Sequence, residues 1–192
     1  MKVKTALVVL TFGFIGFGIW DIRDGSFDMF AGKYAQLRPY SKKMPFDAMF
    51  PSYIPFGFKF QKDQSVGAVL ENSAGIPQLN FYFETKDEEE GIVVRQFDRQ
   101  RYESDILKQG DKRSLEEMFL SVATPSPVQK GGNTLYMHIP SGKTRTFLGD
   151  LDYGAYAYML NPDSVIQVNY VSNKKQISED MMMKILLSMK PF

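Results

Sequence analysis

Four places in the 192-residue chain carry side chains that could do chemistry: His138, the run Ser141-Gly142-Lys143-Thr144, the acidic run Asp87-Glu88-Glu89-Glu90, and an aromatic stretch between Phe46 and Phe58. His138 is the only histidine, and with no cysteine in the chain it has no thiol to activate. A serine nucleophile would need a strained elbow such as G-x-S-x-G to present its hydroxyl to the histidine, and none occurs. Ser141 to Thr144 has the ending of a phosphate-binding loop. The glycine required five residues before Gly142 is Met137, so the run reads as a polar turn between strands. Four consecutive carboxylates cannot converge on one calcium ion, whose ligands are spaced around a glycine-containing loop. They read instead as a solvated hairpin tip. The expectation is no catalytic residue, no metal ligand and no cofactor.

The aromatic stretch is the remaining candidate. Pro45, Pro51 and Pro55 punctuate Met44 to Phe60, the last two forcing extended backbone before them, and Gly57 permits a tight turn into a strand near Phe58. The main expectation for Phe46, Phe50, Tyr53, Ile54 and Phe58 is core. The sharper one is an aromatic groove for a peptide or lipid formed by Phe46, Phe50, Tyr53, Phe56 and Phe58.

These residues must be held by elements that the periodicity defines. Leu79, Phe81 and Phe83 alternate on one strand, and Ile92 to Phe97 returns as its hairpin partner across the acidic turn. A strand is expected at Thr134 to Ile139. A second hairpin is expected from Ala155–Leu160 and Ser164–Val171 around Asn161-Pro162-Asp163, with Ile166, Val168 and Tyr170 toward the core and Val165, Gln167, Asn169 and Val171 opposite. Asp98 to Gly110 is charged, a short helix or an exposed excursion. Ser114-Leu115-Glu116-Glu117 is a capping box that opens a helix with Leu115, Met118, Phe119 and Val122 on one face. Ser178 caps a closing helix whose Met182, Ile185, Leu186 and Met189 should lie across the sheet.

The N-terminus decides the solvent. Thr5 to Trp20 is uncharged and, as a helix, about 24 Å long at about 1.5 Å per residue. Lys2 and Lys4 at one end and Trp20 and Ile22 at the other extend it toward the roughly 30 Å of a hydrocarbon core. Lysines precede the run and Asp21, Arg23 and Asp24 follow it, which places the N-terminus in the cytoplasm and the body outside. The expectation is an uncleaved, single-pass anchor over 1–22 at the cell membrane. A cleaved signal peptide, and hence a secreted protein, is the alternative. A stalk over 23–43 follows, with Phe27, Phe30, Tyr34 and Leu37 in an apolar stripe, and then one extracytoplasmic domain over 44–192. Without cysteine there is neither a lipid attachment point nor a disulfide. Removing Lys2 and Lys4 leaves 21 basic against 22 acidic residues, a balance unsuited to nucleic acid.

The run Phe50-Pro51-Ser52-Tyr53-Ile54-Pro55-Phe56-Gly57-Phe58 resembles the opening of a domain of unknown function. That domain forms the extracytoplasmic end of many Gram-positive anti-sigma factors and related anchored proteins. Gly154 to Met189 agrees with its closing pattern of strand hairpin, polar turn and helix. The resemblance implies an α+β fold with a curved antiparallel sheet embraced by helices, as in periplasmic lipoprotein carriers. Only Met1 to Lys4 precede the apolar run, so the cytoplasmic domain that would hold a sigma factor is expected to be absent. What remains is a non-catalytic, membrane-anchored binding or sensing module with an envelope protein as partner. A hydrophobic-ligand carrier is the alternative, suggested by the 16 Phe and 10 Tyr. An enzyme of unrecognised type ranks third.

Overall fold

The computed structural model describes residues 32–67, 70–71, 75–123, 127–130, 133–145 and 151–192. The expected anchor, and Phe27 and Phe30 of the stripe, lie outside them. Among the described residues no helix is long and apolar enough to cross a membrane.

The fold is α+β around one large antiparallel sheet. Its strands are β2 (Lys59–Phe60), β3 (Leu70–Glu71), β4 (Pro77–Glu84), β5 (Glu90–Asp98), β6 (Val128–Lys130), β7 (Asn133–His138), β8 (Thr144–Arg145), β9 (Leu151–Leu160) and β10 (Ser164–Ser172). The order is β2-β4-β5-β10-β9-β7-β6, with β3 also on β4 and β8 on β9. Both expected hairpins form. Phe81 stands opposite Val94 in the first, and Val168 opposite Ala157 in the second. A two-stranded sheet joins β1 (Met49–Pro51) to β11 (Met189–Pro191).

One face of the large sheet carries Leu79, Phe81 and Phe83, Ile92 and Val94, Ile166, Val168 and Tyr170, and Ala155, Ala157 and Met159, all buried in a single cluster. Helix α5 (Glu179–Leu187) covers β9 and β10 on this side with Met182, Ile185 and Leu186, each fully buried. Its cap is the expected one: the Ser178 side chain accepts from the Met181 amide at 3.3 Å. The segment expected as a stalk enters this core from Tyr34 onward. Tyr34 and Leu37 are buried, ahead of the short helix α1 (Arg38–Ser41). The Tyr34 ring meets Phe50, Phe60, Phe81 and Phe83 at 4.9–6.3 Å, and its hydroxyl donates to the Pro51 carbonyl at 3.0 Å. Ring burial of this extent removes apolar surface that a solvated stalk would leave in water, which is why the folded body reaches back to Tyr34.

The charged stretch after β5 is a helix, α3 (Arg99–Lys108), because Asp98 caps it by accepting from the Arg101 amide at 2.9 Å. The Ser114–Glu117 capping box is present and opens α4 (Leu115–Val122). Together α3 and α4 build a second core on the opposite face of the sheet, with Ile76, Phe97, Leu115, Phe119, Tyr136 and Val165. Helix α2 (Lys62–Gly67) follows β2 at the sheet edge.

Candidate binding surface

Strand register converts this second face into rows of side chains. Leu160, Val165 and Phe97 form one row across β9, β10 and β5, and it lies in the core under α3 and α4. Tyr136, Tyr158, Gln167, Arg95 and Asn80 form the next. Phe119 of α4 stacks on Tyr158 at 4.1 Å with ring planes 11° apart, so the helical cover reaches this second row. The third row is His138, Tyr156, Asn169, Val93 and Tyr82, one residue from each of five adjacent strands, and all five are half-buried. They lie beyond the second core that α3 and α4 build on this face, and at the β4 end α2 approaches the row, with Ser65 Oγ accepting from the Tyr82 amide at 3.0 Å.

The row is chemically mixed and partly preorganised. The His138 and Tyr156 rings stack at 4.9 Å, and Tyr156 meets Tyr158 edge-on at 5.8 Å. The Gln167 amide donates to the Tyr158 hydroxyl at 3.0 Å and to the Asn169 side-chain oxygen at 3.3 Å. Burial pushes the hydroxyls of Tyr156 and Tyr158 above their usual range. Nδ1 of His138 is buried and bonds no described residue.

Tyr82, Val93 and Asn169 of the row, with Val171, floor a cleft of about 300 Å³ rimmed by Glu84, Glu88 and Asp152. The acidic turn supplies the rim without converging on a point. Lys174 pairs with both Asp87 and Glu89, which holds the Asp87 carboxyl well below the ordinary carboxylate range. Glu90 instead accepts from the Tyr170 hydroxyl at 2.9 Å.

The sequence-expected aromatic residues separate. Phe46 and Phe50 are buried, the latter against Tyr34 and Phe192. Phe58 is half-buried against the main core, while Tyr53 and Phe56 are exposed. Lys143, from the polar turn, lies over the Tyr153 ring at 5.4 Å. The row on the outer face was foreshadowed only in part: alternation places Gln167, Asn169 and Val171 opposite the core, but the register that adds His138, Tyr156, Val93 and Tyr82 is not local information.

The arrangement defines a class, an antiparallel-sheet protein with one face closed by a helix and the other left half open. The chain matches no protein-family model, no curated protein and no solved structure.

Proposed function

We propose that this chain is a non-catalytic binding or sensing module, held at the outer face of the cell membrane by its N-terminal segment, that meets an envelope protein through the open part of its sheet. The observation that carries the reading is the third row: five half-buried residues across five strands, hydrogen-bonding and aromatic in character, on the part of the face beyond α3 and α4. Such a mixed surface suits a protein contact, whose compositional mark is aromatic enrichment and depletion of charge at the centre. The uncharged run Thr5–Trp20 and the resemblance of Phe50–Phe58 to anchored extracytoplasmic domains support the location.

A photo-crosslinking amino acid at Asn169, in the full-length chain in cells, should give a discrete adduct that Val93→Arg abolishes, while the same reporter at Glu179 on α5 gives none. Equal adducts at both positions, or an adduct indifferent to Val93→Arg, would remove the reading.

The carrier alternative needs an acyl-sized space between sheet and α5. Fully buried Ala157, Val168, Met182, Ile185 and Leu186 occupy that region, which favours the partner-binding reading. A lipid mass retained by the purified protein in native mass spectrometry would reverse this order.

A further inference from the structure

We propose that the turn Pro55-Phe56-Gly57-Phe58 is a membrane-contact tip, with the Phe56 ring entering the interfacial layer of an anionic bilayer. This rests on the reading of the N-terminal segment as an anchor.

Phe56 is fully exposed although both sides of the turn are fixed. Pro55 is buried, Phe58 packs against the main core, and the Phe58 amide donates to the Pro55 carbonyl at 3.4 Å. Gly57 takes φ +97°, a conformation that favours glycine, and so lets the chain reverse directly behind the ring. The tip is therefore held outward by its neighbours, with exposed Tyr53 three residues before it. A large apolar ring projecting singly from a fixed turn, beside an amphipathic tyrosine, is suited to the boundary between headgroups and acyl chains.

Position and charge agree with that solvent. Eleven residues lie between Trp20 and Gly32, so the domain's first described residue lies within about 40 Å of the end of the apolar run. The chain enters at the same corner as the tip. Lys33 Nζ lies 5.5 Å from the Phe83 ring centroid, Phe83 lies 5.6 Å from Phe60, and Phe60 is in β2, which the turn feeds. Residues 32–62 carry six basic side chains, Lys33, Arg38, Lys42, Lys43, Lys59 and Lys62, against the single acid Asp47. The remainder, 63–192, carries 14 basic against 18 acidic groups. Of the six basic residues, Lys33 and Lys59 lie at the tip's end of the sheet and suit the headgroups of an anionic bilayer, whereas Arg38 and Lys42 line a cavity with Asp47. The acidic hairpin turn lies at the same end of β4, where Lys174 pairs with Asp87 and Glu89.

The test uses the full chain reconstituted into vesicles of phosphatidylcholine and phosphatidylglycerol, with or without lipids brominated near the headgroup end of the acyl chain. Trp20 is the only tryptophan, so Trp20→Phe combined with Phe56→Trp places a lone indole at the tip. Its emission should blue-shift and be quenched by brominated lipid, whereas Trp20→Phe with Leu120→Trp, at an exposed site on α4, should be unaffected. An unquenched indole at 56, with Trp20 of the unmodified chain still quenched, overturns the tip and leaves the anchor standing. An unquenched Trp20 overturns the anchor and the tip with it. Equal quenching at 56 and 120 shows indiscriminate adsorption and also overturns the proposal.

Discussion

The side-chain amide of Gln96 takes the place of a strand for the backbone of Asp47: its Nε2 donates to the Asp47 carbonyl at 2.8 Å, while its Oε1 accepts from the Met49 amide at 2.9 Å. The same Nε2 also donates to Ser164 Oγ at 3.0 Å, so one fully buried glutamine ties the large sheet to β1 and hence to the two-stranded sheet with β11. Replacing it by leucine keeps the volume but leaves a backbone donor and an acceptor without partners, at about 1–3 kcal/mol for each group stranded. Gln96→Leu should therefore lower the urea midpoint and accelerate hydrogen exchange at the Met49 amide more than at β4 amides. Uniform loss of protection would show instead that β1 is no separate unit.

The contact between Phe119 and Tyr158 makes an analogous bridge on the other face. The two rings stack at 4.1 Å, and Phe119 is also 5.7 Å from Tyr136, so truncation leaves a cavity under α4 and exposes the second row. Phe119→Ala should cost about 3–5 kcal/mol, the range for a buried phenylalanine. By contrast, Ser114→Ala removes only the cap of the same helix and should cost about 1 kcal/mol. Thermal melts of both variants check the ordering, and a cap loss as large as the core loss would contradict it.

What the sequence makes legible here is what is encoded locally. The hairpins follow from alternation in Leu79–Phe83 and Ile166–Tyr170, and α4 and α5 follow from Ser114 and Ser178 standing before apolar faces. The pairing of β1 with β11 is not of this kind, because Met49-Phe50-Pro51 and Met189-Lys190-Pro191 lack a period and meet across some 140 residues. Gln96 illustrates the same limit. It sits on the core-facing phase of β5 and looks like an interruption until its backbone partners, nearly 50 residues earlier, are known. Nor does aromatic identity encode direction: Phe50 and Phe56 share one segment, yet the first is core and the second points to solvent.

Alkaline titration should unfold the domain through its tyrosines. Burial raises the hydroxyls of Tyr34, Tyr158 and Tyr170 well above the ordinary value of 10.0. A raised folded-state value means that the neutral form is favoured by folding. The contribution is complete below about pH 10 and is lost as pH rises toward the folded-state values. Tyrosinate absorbance should show these three groups ionising only in step with the loss of near-ultraviolet circular dichroism. Smooth ionisation of all ten tyrosines in the folded protein would contradict their burial.

Small residues beneath α5 set how closely it approaches the sheet. Ala155 and Ala157 are buried on the core-facing phase of β9, the strand that α5 contacts together with β10, and Ala157 stands between Val168 and Met137 in the ladder. At such a site added volume cannot be accommodated by rotamer change alone, because Ile185, Leu186 and Met182 are already fully buried. Ala157→Leu should destabilise the domain by about 1–3 kcal/mol through overpacking. Enlarging Val93 to isoleucine on the half-open face should be nearly silent. Chemical denaturation of the pair measures the contrast. A tolerated leucine at 157 would mean that the space between sheet and helix can expand, which is the property a ligand carrier needs and a filled-core binding module does not.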